Sequence, residues 1–433
     1  MTDHVRLTRR QVLATSGALG AAGALSSVGW KGWGGAEGAE AASTALPHPN
    51  ASGIDHIVVV MMENRSFDHF FGWLPGADGK QAGLSYADGQ GTRHSTHHLT
   101  EFSSCEFSDP DHSYKGGRIE LNGGRCDGWL RAGDNDIFCI GYYEQDDLPF
   151  LGNAATSWTV CDRYFAAVMA PTYPNRFYQH AAQTDRLTDT KNISKLTTIW
   201  DRLADARVSA RYYFSDVPFI AFFGLKHLSI ARPFSRFLSD AAAGQLPAVC
   251  FVDPGFLGED NGTSTDDHPR ADIRAGEQFL NRIYTAVTTS PNWSRTMLVI
   301  NFDEWGGFFE HVVPRRAPDV SPVTALRGFR VPALVISPRA RRGYVAHGTY
   351  DHTSILKAIE WRWNLRPLTP RDKAARNIAE VLDFSSPPKL TAPTFTVPPF
   401  TPTACNASDT SDDKQKWLDL QALARAQGWP LPT

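Results

Sequence analysis

The chain has 433 residues, 42% hydrophobic and 21% charged, with 43 Lys and Arg against 46 Asp and Glu and a formal charge of −3. That is the balance of a globular protein long enough for one large core, which buries roughly three quarters of its unfolded surface and needs no metal merely to fold. A charge this close to neutral gives no whole-chain attraction to nucleic acid, which is excluded as an expected partner.

The first segment carries Thr8-Arg9-Arg10-Gln11-Val12-Leu13, then a small, apolar stretch over residues 14–28 and Gly- and Ala-rich sequence. It reads as a twin-arginine export signal, too short and too weakly apolar to span a bilayer. Ala39-Glu40-Ala41 offers a small-x-small cleavage site. The expected organisation is a signal peptide over 1–41, a catalytic domain over 42–384, and a Pro-rich tail over 385–433 packed on that domain. Without the leader, 39 basic residues face 43 acidic ones. The expected location is secreted, periplasmic or cell-envelope, with the export machinery as a partner and at most peripheral membrane contact.

Four apolar runs rich in β-branched residues, 54–62, 248–253, 296–303 and 331–337, are predicted as buried strands. The spacing of Ile273, Phe279, Leu280, Ile283 and Val287 predicts a helix over 272–288. Strands alternating with helices predict an α/β fold, a mainly parallel central sheet with helices on both faces, in which ligands bind beyond the carboxyl ends of the strands. The first strand ends in Glu63-Asn64. These are hard oxygen ligands for a divalent cation, or else part of a capping turn with Ser66 or Asp68. Residues 75–140, rich in Gly, Asp and His and without periodicity, are predicted as a long insertion that includes Asp111-His112.

Next comes Ala170-Pro171-Thr172-Tyr173-Pro174-Asn175-Arg176, which places a hydroxyl at the start of a helix, where backbone N–H groups favour phosphate. Thr172 is a helix cap, a nucleophile, or both; as a nucleophile it needs an activator such as a bound cation. The apolar stretch 218–225 is a core segment or a contact for acyl chains. Asp266-Asp267-His268-Pro269 and Asp351-His352-Thr353-Ser354 set histidines beside acidic residues, suited to proton transfer or phosphoryl binding. Between them, Asp303-Glu304 ends a strand as Glu63-Asn64 does, followed by Trp305-Gly306-Gly307 and His311. Residues 385–402 are rich in Pro, Ser and Thr, and a short helical pattern over 416–426 closes the chain.

Cys105, Cys126, Cys139, Cys161, Cys250 and Cys405 are scattered without the spacing of a zinc site and read as structural. Six allow up to three disulfides in 15 pairings. There is no Gly-x-Ser-x-Gly elbow, P-loop or His-Glu-x-x-His pair, which removes the α/β-hydrolase, P-loop and zincin readings.

Taken in order, the motifs resemble the phosphoesterase family of bacterial phospholipases C, plant non-specific phospholipases C and an acid phosphatase. The matching segments are Glu63-Asn64-Arg65-Ser66-Phe67-Asp68-His69-Phe70-Phe71-Gly72, Pro171-Thr172-Tyr173-Pro174-Asn175-Arg176, Asp266-Asp267-His268-Pro269, Gly276-Glu277-Gln278-Phe279, Ser290-Pro291-Asn292-Trp293, residues 303–311 and Asp351-His352-Thr353-Ser354. The resemblance implies an alkaline-phosphatase-like fold and a hydroxyl nucleophile bound to one divalent metal ion, with Ca²⁺, Mg²⁺, Mn²⁺ and Zn²⁺ all open. It assigns Glu63, Asn64, Asp303, Glu304 and Thr172 to the metal, Thr172 to nucleophilic attack, and His112, His268 and His352 to phosphate binding or proton transfer. Trp305 stands where the family usually has His. The implied activity is phospholipase C cleavage of phospholipids to diacylglycerol and a phosphorylated headgroup. A phosphomonoesterase using the same residues and an exported binding protein with a degenerate site are the alternatives.

Overall fold

The run of Ile and Val that opens the matched segment becomes the strand from which the sheet is built. In the computed structural model, which describes residues 45–405 and 413–432, His56–Met62 (β1) is buried from Ile57 onward and pairs on both sides. A β-branched run of this kind suits an extended chain covered on both faces. The remaining strands of the main sheet are Thr159–Cys161 (β2), Ala210–Phe214 (β3), Ala231–Pro233 (β4), Val249–Asp253 (β5), Thr296–Phe302 (β6), Ala333–Ile336 (β7) and Tyr344–Ala346 (β8). Their order is β8-β2-β7-β6-β1-β5-β3-β4. Among these strands only β7 runs against the others. The four predicted strands are β1, β5, β6 and β7; the other four are short or aromatic, and neighbouring strands rather than pattern hold them in the sheet.

The helices used below are Phe67–Phe71 (α1), Thr172–Ala181 (α2), Ile273–Thr288 (α3), His352–Trp363 (α4) and Asp413–Ala426 (α5). Both faces of the sheet are covered, as adjacent residues of β3 show. The Tyr212 ring meets His180 of α2 and Trp200, whereas Tyr213 points the other way, onto Phe237. The predicted α/β architecture with helices on both faces is therefore observed.

The described residues lie within one compact unit, Glu40–Thr433. The proposed leader, 1–41, falls outside them. Within the stretch 218–225, Phe219–Phe223 is buried and packs on Tyr173 and Phe177, so these five residues belong to the core, whereas Leu225 is exposed. Of the six cysteines, Cys105 and Cys405 are joined in a disulfide and the other four are buried thiols.

Candidate active site

β1 and β6 lie side by side and run in the same direction, with Met62 paired to Phe302, so Glu63-Asn64 and Asp303-Glu304 leave the sheet at adjacent carboxyl ends. All four side chains are buried. The turn is fixed by its backbone. Asn64 sits at φ 55, a left-handed conformation that Asn tolerates better than most residues, and its N–H donates to Asp303 Oδ1 at 3.0 Å. Gly306, at φ 64, lies so close that a Cβ there would collide with the Asn64 carbonyl. Only glycine fits. Ser66 caps α1 by accepting from His69 N, so this motif carries a capping turn as well as its acidic group.

Thr172 is the first residue of α2, and Pro171 is its cap. The Thr172 hydroxyl does not cap the helix, which overturns that reading. It donates instead to Glu63 Oε2 at 3.2 Å and Asn64 Oδ1 at 3.4 Å. One helical turn on, Arg176 projects from the same face of α2. Its guanidinium meets Glu63 Oε1 at 2.5 Å, Asp253 Oδ1 at 3.5 Å and Asp303 Oδ2 at 3.8 Å. Burial works against the charge on Arg176, but the three carboxylates hold it protonated.

The acidic groups outnumber the cations that face them. Burial first, then the Glu63 charge, pushes Asp303 well above the usual carboxylate range; burial and Asp303 do the same to Glu304. Asp253 is raised by burial to about 7 despite Arg176, and Asp266 to about 7 by burial and Glu63. Asp303 Oδ2 and Glu304 Oε1 are buried without a hydrogen-bond partner among the described residues. Orphaned carboxylate oxygens beside an amide oxygen and a hydroxyl fit a hard divalent cation. The four oxygen ligands are not drawn into one tight group, because Arg176 lies between Glu63 and Asp303. Groupings with donor atoms within 4.8 Å of one another are Asp109–His112–His268, Glu63–Glu259–His268 and Asp68–Glu310–His311. The first two border the Thr172 site. The third contains Arg330, hydrogen-bonded to Asp68 and Glu310, and this separate network, not the site, is where His311 resides.

The three predicted histidines take different stations. His112 Nδ1 donates to the Pro110 carbonyl at 2.7 Å, which turns Nε2 toward Asn64 Nδ2 at 3.4 Å and Glu304 Oε1 at 3.9 Å. His268 stands edge-on to His112, with ring centroids 6.0 Å apart, and its Nε2 lies 3.8 Å from Glu259 Oε2 and 3.9 Å from Asp109 Oδ2. His352 is different. Its Nε2 donates to the Asp303 backbone carbonyl at 2.7 Å, while Nδ1 faces Tyr164 OH and Asn301 Nδ2 at 3.2 and 3.3 Å. This ring positions the Asp303 strand end, and its geometry does not suit the proton-donor role expected from the sequence.

Burial lowers the His352 pKa to about 4, although its bond to the Asp303 carbonyl works the other way. The unfolded side chain titrates near 6.5. As pH falls below 6.5 the unfolded state gains a proton that the native state refuses, so stability present above 6.5 is lost, by roughly 3 kcal/mol at pH 4. Denaturation curves from pH 7 to 4 should show this decline, and His352→Gln should flatten it.

Trp305 is buried in a small cluster with Trp129, Met169 and Phe329, and its indole N–H donates to Glu120 Oε2 at 2.7 Å. Asn135 joins Glu120 to the backbone N–H of Asp111, next to His112. The departure from the family's His is therefore a supporting contact. Trp305→Phe keeps most of the volume but strips Glu120 of a donor, and should cost about 1–3 kcal/mol in thermal or denaturant unfolding. An unchanged midpoint would deny the contact any weight.

Arg176 and Lys416 were not singled out from the sequence. Arg176 was within reach, four residues after Thr172 on one helix. Lys416 was not, since no local pattern links the C-terminal helix to the site. Its Nζ lies 3.4 Å from Thr172 Oγ1. A cleft of about 500 Å³ opens beside these groups, lined by Asp109, His112, Pro171, Asp189, Lys416 and Asp419 among others. A buried hydroxyl at a helix N-terminus, set among oxygen ligands at the carboxyl edge of a parallel sheet, is an arrangement for transferring a phosphoryl group. A phosphoesterase family model matches residues 54–366.

The chain belongs to the phosphoesterase family. Phospholipase C B of Mycobacterium tuberculosis is 31% identical to this phosphoesterase over 426 residues, covering 80% of each chain. Non-specific phospholipase C6 of Arabidopsis thaliana is 27% identical, covering 82% of this chain and 77% of its own. Among solved structures, an alkaline phosphatase superfamily protein from Vibrio parahaemolyticus aligns at 9% identity and a TM-score of 0.41, covering 90% of this chain and 91% of that one. This phosphoesterase is a phosphoric ester hydrolase.

Proposed function

We propose that this phosphoesterase is an exported phospholipase C in which Thr172 attacks phosphorus. The observation that carries the reading is the Thr172 hydroxyl, buried at the start of α2 and held by Glu63 and Asn64. The diester preference is supported by relatives named phospholipase C in both a bacterium and a plant. The twin-arginine leader supports export, and with it a secreted or envelope location and at most peripheral membrane contact. One divalent cation, Ca²⁺, Mg²⁺, Mn²⁺ or Zn²⁺, would be held by Glu63, Asn64, Asp303, Glu304 and Thr172. When bound, it would lower the pKa of the hydroxyl and offset charge on the phosphoryl oxygens.

The chain's own groups supply the remaining steps. The Thr172 proton passes toward Glu63 Oε2, which already accepts its hydrogen bond. A bond forms from Thr172 Oγ1 to phosphorus as the bond to the diacylglycerol oxygen breaks, and His268 protonates that departing oxygen. The headgroup phosphoryl then remains on Thr172 until water displaces it. The Thr172 backbone N–H at the α2 N-terminus and the His112 ring stabilise the phosphoryl oxygens; Tyr173 N–H is already given to Asp189 and Pro174 has none. His352 acts by holding the Asp303 strand end.

A paired assay tests the reading: diacylglycerol release from phosphatidylcholine against phosphate release from p-nitrophenyl phosphate. The proposal expects the first reaction to dominate. Dominance of the second would make the enzyme a phosphomonoesterase with the same site, and activity on neither would leave a binding protein.

A further inference from the structure

We propose that Lys416, supplied by the C-terminal helix from beyond the matched family segment, is a catalytic residue that binds the non-bridging oxygens of the reacting phosphoryl group. The proposal rests on the reading of Thr172 as nucleophile. The Lys416 side chain is 2% exposed. Its ammonium lies 3.4 Å from Thr172 Oγ1, 3.5 Å from Glu259 Oε2 and 3.8 Å from Glu63 Oε2. Among these three contacts the hydroxyl oxygen of the attacking residue is the nearest. Burying an ammonium for stability alone is a poor device, because desolvation offsets the attraction it gains.

The position is enforced from both sides. Tyr173, the residue after the nucleophile, donates its hydroxyl to the Lys416 carbonyl at 2.6 Å. Trp417 stacks on Phe256 with ring centroids 3.9 Å apart and planes 7° from parallel, and its indole N–H donates to Glu259. Upstream of α5, Cys405 is disulfide-bonded to Cys105 and donates its N–H to Asn261 O at 2.8 Å, next to Glu259 and Gly262. The helix is thus tied to the loop that carries Glu259.

Lys416 also lines the cleft together with His112 and Pro171. Thr172 itself is fully buried, so a phosphate ester entering there meets first the ammonium that lies 3.4 Å from the hydroxyl. An ammonium carries three donors and a fixed positive charge, matched to equatorial oxygens that gain charge as Thr172 attacks. No bond to Lys416 forms or breaks. It contributes hydrogen bonds and charge that strengthen toward the transition state.

The test uses the full-length, metal-loaded protein with Lys416→Met and Lys416→Arg, and Thr172→Val in parallel. Three readouts are taken: kcat and KM on the ester the wild type turns over, inorganic phosphate binding by calorimetry, and metal content. Lys416→Met should lower kcat by on the order of 10²–10³-fold and weaken phosphate binding by at least about tenfold, with metal content unchanged. Lys416→Arg should recover part of both. Should the Met variant fail to fold, Lys416→Gln is measured in its place. Wild-type kcat and phosphate affinity without the ammonium would overturn the proposal, as would faster turnover, which would make Lys416 a plug. Loss of the metal would overturn it too, making Lys416 a positioning residue for the ligands. Activity retained in Thr172→Val defeats the nucleophile reading itself; an inactive Thr172→Val beside a fully active Lys416→Met defeats this proposal only.

Discussion

Thr172→Val is expected to lower kcat by at least about 10³-fold on any ester the protein hydrolyses, because loss of a nucleophile removes the covalent route. The fold should survive. Thr172 caps nothing, and Val has nearly the same shape, so the change removes only its hydrogen bonds with Glu63, Asn64 and Lys416. The discriminating comparison is kcat against circular dichroism and the unfolding midpoint. A variant with native spectra and wild-type turnover would remove Thr172 from the chemistry. A Thr172→Ser variant, which restores a hydroxyl, should recover a measurable part of the rate.

Arg176→Met is expected to have the largest effect on stability. The guanidinium faces Glu63, Asp253 and Asp303, all buried, and removing one partner of a buried ionic group leaves the others uncompensated. The cost should be about 3–5 kcal/mol in the metal-free protein. Its pH dependence has a definite sign. Asp253 is already raised by burial to about 7 in the presence of Arg176, against about 3.8 unfolded. Stability from its protonated form is complete at low pH and is lost as pH rises from about 4 through 7. Without Arg176 the ionised form is less favourable still, so the deficit of the variant should be greater at pH 8 than at pH 5. Urea denaturation at the two values measures it; an equal deficit at both would show that Asp253 does not depend on Arg176.

Much of this was legible in the sequence, for identifiable reasons. β1, β5 and β6 are continuous apolar runs buried on both faces, and such runs announce themselves without help from the rest of the chain. Because β1 and β6 end in Glu63-Asn64 and Asp303-Glu304, the edge of the sheet that carries the site could be named before the strands were known to be neighbours. The spacing around Asp272 also gave α3, whose cap is Asp272 itself. β2, β4 and β8 are three residues each, too short for a period to appear. His352 was read from its acidic neighbour, yet the group that determines its role is the Asp303 backbone carbonyl, which no side-chain motif encodes. Lys416 was hidden for a related reason. Its place depends on where a distant helix docks, and Tyr173, Phe256 and Glu259 decide that docking only in three dimensions.

The stereochemical course at phosphorus tests the central claim most directly. Transfer to Thr172 followed by transfer to water makes two in-line displacements. Hydrolysis of a substrate chiral at phosphorus, run in isotopically labelled water, should therefore give product with overall retention of configuration. Inversion would mean that water attacks the ester in one step, and would contradict a covalent intermediate on Thr172.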